Sequence, residues 1–265
     1  MSDSQLLEAM IGAAIEAGRA AYAIYRRGFQ VLEKADASPV TDADHASEAI
    51  ILERLAACAS ATPIVAEEAA AAGQIPAAAE EFFLVDPLDG TREFIAGRGE
   101  FTVNIALVRG GAPALGVVYA PALGQLFAGD APSGHAFVSD LRAQAAGPRE
   151  PIRVRRAPEA GLTAVASRSH STPETDAYLA RYAVGERVSV GSSLKFCLVA
   201  QGRADLYPRL GPTMEWDTAA GHAVLLGAGG TVVAPDGEPL RYGKPQYRNP
   251  WFIASGSLVP LPISS

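Results

Sequence analysis

One short stretch constrains this chain more than any other: an apolar strand that runs into a pair of carboxylates. Phe82-Phe83-Leu84-Val85 is a compact run of β-prone residues, stopped by Asp86-Pro87-Leu88-Asp89-Gly90-Thr91. The strand leaves the core, and a Pro-containing turn spaces the two acids three residues apart, so that both can point to one side with the Leu88 carbonyl between them. Gly90 and Thr91 then present backbone N–H groups where the chain enters its next element. An all-oxygen set of this kind suits a hard cation such as magnesium, which takes carboxylates, water and substrate phosphate. Asp, Pro and Gly are also the residues of an ordinary turn, so the segment is not decisive alone. An EF-hand loop would need oxygen ligands at alternate positions, and an aspartyl-phosphate enzyme would need Asp-x-Asp. Pro87 stands where either would need a side-chain oxygen.

Two further acidic segments point the same way. Val65-Ala66-Glu67-Glu68 reads as the end of a short strand, where solvated charge is the bland explanation. Met214-Glu215-Trp216-Asp217-Thr218-Ala219-Ala220-Gly221 sets Asp217 at the start of a helix, where a plain N-cap would account for it. The small residues after Asp217 let that helix approach another backbone closely, which a cap does not require.

The rest of the chain reads as a layered α/β protein. Leu6, Leu7, Met10, Ile11, Ala14, Ile15, Tyr22 and Tyr25 share one helical face that ends near Gly28. A second helix starts after Thr41-Asp42, either residue capping it, and runs to about Cys58. Ala69 to Ala79 has no periodic face and reads as a surface excursion. Thr102–Val108 and Ala114–Tyr119 flank Gly110-Gly111 as a hairpin, and Leu126–Ala128 and Ala136–Val138 continue the meander. Arg142–Pro151 is a candidate boundary between an N-terminal α+β domain (1–146) and a C-terminal α/β domain (147–265). Beyond it, strands and helices alternate.

Composition excludes several classes. With 22 basic and 29 acidic residues, a formal net charge of -7, the chain lacks the cationic field a nucleic acid polymer demands. Cys58 and Cys197 are distant and form no CxxC, which argues against a disulfide framework or zinc ribbon. No signal-peptide pattern opens the sequence and no apolar run reaches the roughly 20 residues of a membrane span. The cytoplasm is the expected compartment, with attachment to the cytoplasmic face of the inner membrane left open.

Taken together, Glu67-Glu68, Asp86-Pro87-Leu88-Asp89-Gly90-Thr91 and Trp216-Asp217-Thr218-Ala219-Ala220-Gly221 resemble the three signatures of the inositol monophosphatase superfamily. The resemblance runs from about residue 5 to 255. Within it, Arg92–Ile95, Gly99–Leu107, Ser167–His170, Gly191–Cys197 and Asp205–Leu210 are similar to the CysQ-type 3'(2'),5'-bisphosphate nucleotidase branch. The resemblance implies an α/β (α+β) fold, a five-layered αβαβα sandwich of the inositol monophosphatase and fructose-bisphosphatase type.

It also implies roles. Glu67, Asp86, the Leu88 carbonyl, Asp89 and Asp217 would hold two to three Mg2+ ions, with Glu67 also serving catalysis. Thr91 and Asp44, the latter in Val40-Thr41-Asp42-Ala43-Asp44, would orient the attacking water. Asp89, Gly90, Thr91 and Asp217 would border the phosphate being removed, and His170, Ser192, Lys195 and Arg209 would grip the one that stays. Phosphate monoesters demand positioning and charge neutralisation rather than covalent work by side chains. The activity implied is hydrolysis of adenosine 3',5'-bisphosphate, or its sulfated relative, in sulfur assimilation, by a lithium-sensitive monomer or homodimer. Inositol monophosphate or a sugar bisphosphate is the rival substrate; a non-catalytic metal- or nucleotide-binding regulator is the rival of another class.

Overall fold

The structure is a computed structural model describing residues 1–33, 39–77, 79–142, 147–167 and 172–263. The chain opens with α1 (Asp3–Arg27), β1 (Val31–Glu33), β2 (Pro39–Thr41), α2 (Asp42–Cys58), β3 (Ile64–Ala66), α3 (Glu67–Ala71), β4 (Glu81–Asp89) and α4 (Thr91–Ile95). A meander follows: β5 (Thr102–Arg109), β6 (Ala112–Ala120), β7 (Gln125–Asp130), β8 (His135–Asp140) and β9 (Glu150–Pro151). The last part comprises β10 (Leu162–Ser167), α5 (Pro173–Leu179), β11 (Val184–Val190), α6 (Leu194–Ala200), β12 (Leu206–Arg209), α7 (Ala219–Gly227), β13 (Thr231–Val233) and β14 (Phe252–Ser255).

Local chemistry explains the outer helices. Ser2 caps α1 in a reciprocal box with Gln5, and Gly28 at φ 94° ends it. Thr41 and Asp44 form the same box on α2. Gly110 and Gly111, at φ 58° and 73°, supply the two left-handed residues that a tight β5–β6 turn needs.

Strands β3 to β9 form a seven-stranded sheet in sequence order, antiparallel except for β3 against β4. A five-stranded sheet has the order β11-β10-β12-β14-β13. The period of two sorts the side chains of β5: Val103, Ile105 and Leu107 face α1 and α2, while Ala106 and Val108 face inward. Inward lie α6 and α7, whose Phe196, Val199, Val224 and Leu225 pack between both sheets. On the far side, Tyr178 and Leu179 of α5 cover Leu206 and Ile253 of the smaller sheet. The layers therefore read α, β, α, β, α, which is the expected sandwich, and the halves share the central helices.

The structure differs from the sequence reading in three places. Glu67 opens the short helix α3 rather than ending a strand, so the Ala-rich excursion starts helical. β4 continues through Pro87 to Asp89 instead of stopping at Val85. Asp217 precedes α7 by two residues and caps nothing in it. The expected domain boundary falls partly on residues 143–146, which lie outside the described residues, as does His170. No helix among the described residues is long and apolar enough to cross a membrane.

The central layer is drawn in by small residues. A Cβ at Gly116 of β6 would meet the Ala220 carbonyl oxygen of α7 at 2.4 Å and the Ala223 Cβ at 2.7 Å. Backbone cannot swing away as a side-chain tip can. Gly116→Val is expected to cost about 1–3 kcal/mol of stability by overpacking, read as a Tm lower by several degrees in thermal unfolding; an unchanged Tm would show that this contact has slack.

Candidate active site

The β4 acids are aimed by a bulge. Asp86 pairs with Asn104 and Asp89 with Thr102, so three steps on β4 oppose two on β5. Pro87, lacking an N–H, sits where the ladder has no bond to lose. The Leu88 N–H folds back on Asp86 Oδ1 at 3.0 Å. Gly90, at φ 93°, then reverses the chain into α4, and a Cβ there would lie 3.2 Å from the Glu100 carbonyl oxygen.

Helix α2 braces this bulge with a polar stripe. Its buried residues Asp44, Ser47, Glu48, Ile51 and Leu55 follow helical spacing, so the apolar face turns polar at the site end. Ser47 Oγ donates to the Pro87 carbonyl at 2.7 Å. Glu48 accepts the Glu68 and Ala69 N–H groups at 2.8 and 2.9 Å, which pins the start of α3 and with it Glu67. Burial pushes the Glu48 carboxyl up despite those two bonds. Asp44 Oδ2 accepts from the Thr41 N–H and hydroxyl at 2.8 and 2.7 Å. Its Oδ1 lies 3.4 Å from Thr91 Oγ1, which is also 3.3 Å from the Leu88 carbonyl. Both contacts are long for O–H···O, so the Thr91 hydroxyl is oriented but loosely held.

The facing wall comes from the C-terminal half. Ser192 adopts φ 52°, an uncommon conformation for a non-glycine residue, beside Gly191, whose N–H donates to Glu100 Oε2 at 2.9 Å. Ser193 Oγ donates to Asn104 Oδ1 at 2.7 Å, and Asn104 Nδ2 donates to Asp89 Oδ2 at 3.3 Å. A side-chain chain thus runs from the first acidic motif to the head of α6. Lys195 follows on α6, its ammonium donating to the Ser192 carbonyl. Arg209 ends β12 with a bond to the Pro212 carbonyl at 2.7 Å, and its buried Nε finds no partner.

These walls enclose a cleft of about 430 Å³ lined by Glu67, Asp89, Gly90, Thr91, Ser192, Lys195, Arg209 and Asp217 among others. Asp44, Asp86 and Leu88 lie behind the lining, each almost fully buried. Eight of the expected residues therefore share one cavity, three support it, and His170 is not described.

The acids strain against one another. Burial, then the charges of Glu67, Asp89 and Asp217, pushes the Asp86 carboxyl well above the usual range. Asp217 is pushed up to about 8 by burial and by Asp89 and Glu67. Burial raises Asp89 to about 6 against the pull of Lys195 and the Asn104 amide. Burial likewise draws Lys195 down to about 8, with Asp89 opposing and Arg209 adding to the fall. Such a cluster favours added positive charge. Among the described residues no three His, Cys, Asp or Glu side chains are gathered tightly enough to cage an ion by themselves. The fit to magnesium lies in the donor set, carboxylates and a carbonyl bordering a cleft open to water and phosphate.

Asp217 is held from behind by a strap that the sequence did not reveal. Its Oδ2 accepts the Met214 N–H at 2.9 Å. Glu215, fully buried, accepts the Gly243 and Lys244 N–H groups at 2.7 and 2.9 Å and pairs with the Lys244 ammonium at 2.6 Å. Asn249 Nδ2 donates to the Met214 carbonyl at 2.8 Å and to Thr218 Oγ1 at 3.0 Å. His222, Tyr242 and Thr218 continue the network, at 3.0 Å from His222 Nδ1 to the phenol and 3.2 Å from the phenol to Thr218 Oγ1. Burial pulls the His222 imidazole down to about 3, so it stays neutral. The only sequence signal for the strap was Glu215 itself, an acid in an otherwise core-forming run. Ser47 and Glu48 could have been found as polar members of an apolar stripe.

The chain is similar to known proteins along nearly its whole length. The sequence profile of the inositol monophosphatase family matches residues 2–257. The 3'(2'),5'-bisphosphate nucleotidase CysQ of Escherichia coli K12 is 43% identical over 253 residues, covering 94% of this chain and 99% of its own. The protein of that name from Buchnera aphidicola is 38% identical, covering 95% and 94%. Among solved structures, CysQ from Bacteroides thetaiotaomicron aligns with a TM-score of 0.81 at 40% identity, covering 96% and 98% of the two chains.

The strap carries a stability prediction. Glu215→Ala strips the acceptor from two backbone N–H groups and the partner from Lys244, and is expected to cost about 2 kcal/mol in urea unfolding. A loss within experimental error would mean that the 243–244 backbone finds water instead.

Proposed function

The chain belongs to the inositol monophosphatase family, and from that premise we propose that it is a magnesium-dependent phosphomonoesterase acting on adenosine 3',5'-bisphosphate in the cytoplasm. The reading rests on one observation: a single cleft is lined by three carboxylates, Glu67, Asp89 and Asp217, and by two buried cations, Lys195 and Arg209. Lys195 and Arg209 are 6% and 8% exposed and form no ion pair among the described residues. Asp89 attracts Lys195 without pairing with it directly, and two cations this buried are better satisfied when an anion arrives with the ligand. A substrate with one phosphate to lose and one to keep uses both sets. An inositol monophosphate offers no second phosphate to the cations. The resemblance of the chain to CysQ nucleotidases along its length supports the same choice.

In this reading Lys195, Arg209 and Ser192 hold the retained phosphate, with His170 assigned there from sequence alone. Gly90 and Thr91 present their N–H groups to the phosphate that leaves. Thr91 Oγ1, steadied by Asp44 Oδ1 and the Leu88 carbonyl, orients the attacking water toward phosphorus. Water adds to phosphorus, the ester P–O bond breaks, and the leaving oxygen takes a proton. Two to three magnesium ions, held by Glu67, Asp86, the Leu88 carbonyl, Asp89 and Asp217, would supply the charge neutralisation that phosphoryl transfer requires. The buried carboxylates contribute their fixed positions, so little reorganisation is needed as charge develops.

Phosphate release with magnesium, measured in parallel on adenosine 3',5'-bisphosphate, inositol monophosphate and a sugar bisphosphate, tests the substrate. The nucleotide should give the highest kcat/KM; a clear preference for inositol phosphate would overturn the assignment. Asp89→Asn is expected to lower kcat by at least about 1,000-fold with Tm retained, and near-normal turnover would remove Asp89 from the site. Lys195→Ala should raise KM about 10-fold with a smaller effect on kcat, and unchanged kinetics would exclude it from substrate binding.

A further inference from the structure

One polar group in the cleft has no role in the three motifs or in the packing of the fold, and it is the hydroxyl of Tyr207. Along β12 the side chains alternate, so Leu206 turns to the α5 side while Tyr207 turns to the central layer. Two residues on, Arg209 shares that face. Tyr207 lines the cleft together with Lys195 and Arg209, although its side chain is only 3% exposed. Its ring is clamped at right angles by two others, Phe196 at 5.2 Å and 84° and Phe252 at 5.6 Å and 88°. The Lys195 ammonium stands over its face, 5.5 Å from the centroid. The direction of the phenol is therefore fixed by packing.

Buried tyrosines normally satisfy their hydroxyls. Tyr178 bonds to the Leu261 carbonyl and Tyr242 to Thr218 in this protein. Among the described residues Tyr207 makes no such bond. Its open side is the cleft, where Lys195 and Arg209 flank it and the Asp89 and Asp217 carboxylates act on it as well, so the partner its hydroxyl fits is an anion held by the two cations. Lys195 and Arg209 leave room for a further donor: one Arg209 nitrogen is already committed to the Pro212 carbonyl, and phosphate oxygens accept more bonds than two side chains provide. We propose that Tyr207 is a substrate-binding residue whose hydroxyl donates a hydrogen bond to the phosphate that remains on the product. The proposal rests on the bisphosphate reading above and adds a neutral, rigid donor to its two cations. A rigid donor discriminates, because a ligand lacking an oxygen at that point leaves the phenol unpaired in a buried setting.

Tyr207→Phe isolates the hydroxyl, since ring, packing and cation contact remain. The experiment measures kcat and KM for adenosine 3',5'-bisphosphate, and competitive inhibition by AMP, which carries only the retained phosphate. KM and the AMP Ki should both rise about 10-fold, with kcat within about 2-fold and Tm unchanged. If Tyr207 serves packing alone, neither constant moves, and the proposal is overturned. A fall in kcat at constant KM would also overturn it, by placing the hydroxyl at the reacting phosphate. Failure of the underlying reading is visible separately, as wild-type enzyme that does not turn over the bisphosphate, and it would take this inference with it.

Discussion

Mutual repulsion among buried carboxylates is the constraint around which this molecule is arranged. Asp86, Asp89 and Asp217 are each pushed toward the protonated form, first by burial and then by neighbouring carboxylates, Glu67 acting on all three. Groups so placed would separate if the backbone allowed it. It does not: Ser47 fastens the bulge at Pro87, Glu48 fastens the head of α3, and Asn104 bonds directly to Asp89. Much of the hydrogen bonding in this part of the protein serves to hold like charges near each other. Such an arrangement stores a preference for cations in the fold itself, before any ligand arrives.

The layered architecture makes that possible by bringing a rigid sheet end and a helix layer to one place. The bulge in β4 lies at the end of the larger sheet, and α7 presses against that sheet with almost no space between. Phe196 shows how tightly functions overlap: it contributes to the common core, would meet any Cβ at Gly221, and clamps the Tyr207 ring. Rigidity of this kind suits a reaction whose difficulty is charge placement rather than covalent rearrangement.

Features set by local chemistry were legible from sequence. The Gly28 end of α1, the start of α2 at Thr41-Asp42, the Gly110-Gly111 hairpin and the meander announce themselves within a few residues. Asp86, Asp89 and Asp217 were legible as candidate metal ligands because their neighbours form recognisable motifs; their part in binding metal stands as a proposal. What escaped was non-local. Pro87 looks like a turn residue until β5 is seen pairing on both sides of it. Glu67 reads as a strand end because the carboxylate that starts its helix, Glu48, is 19 positions away in the chain. The strap from Tyr242 to Asn249 has no periodicity at all, and its purpose is visible only from what it touches. Tyr207 was passed over for a related reason, since an aromatic residue in a strand is ordinarily core.

The dispersal of these parts along the chain has a consequence for biosynthesis. A ribosome delivers Asp86 and Asp89 early, Lys195 and Arg209 much later, and the residues that brace Asp217 almost last. A nascent chain that has emerged only as far as the meander exposes an acidic sheet end with no facing wall. Because Asn249 and Lys244 belong to the brace behind Asp217, the cleft can be complete only once nearly the whole chain has been made. Truncated or stalled products would then carry the acidic motif without a working pocket.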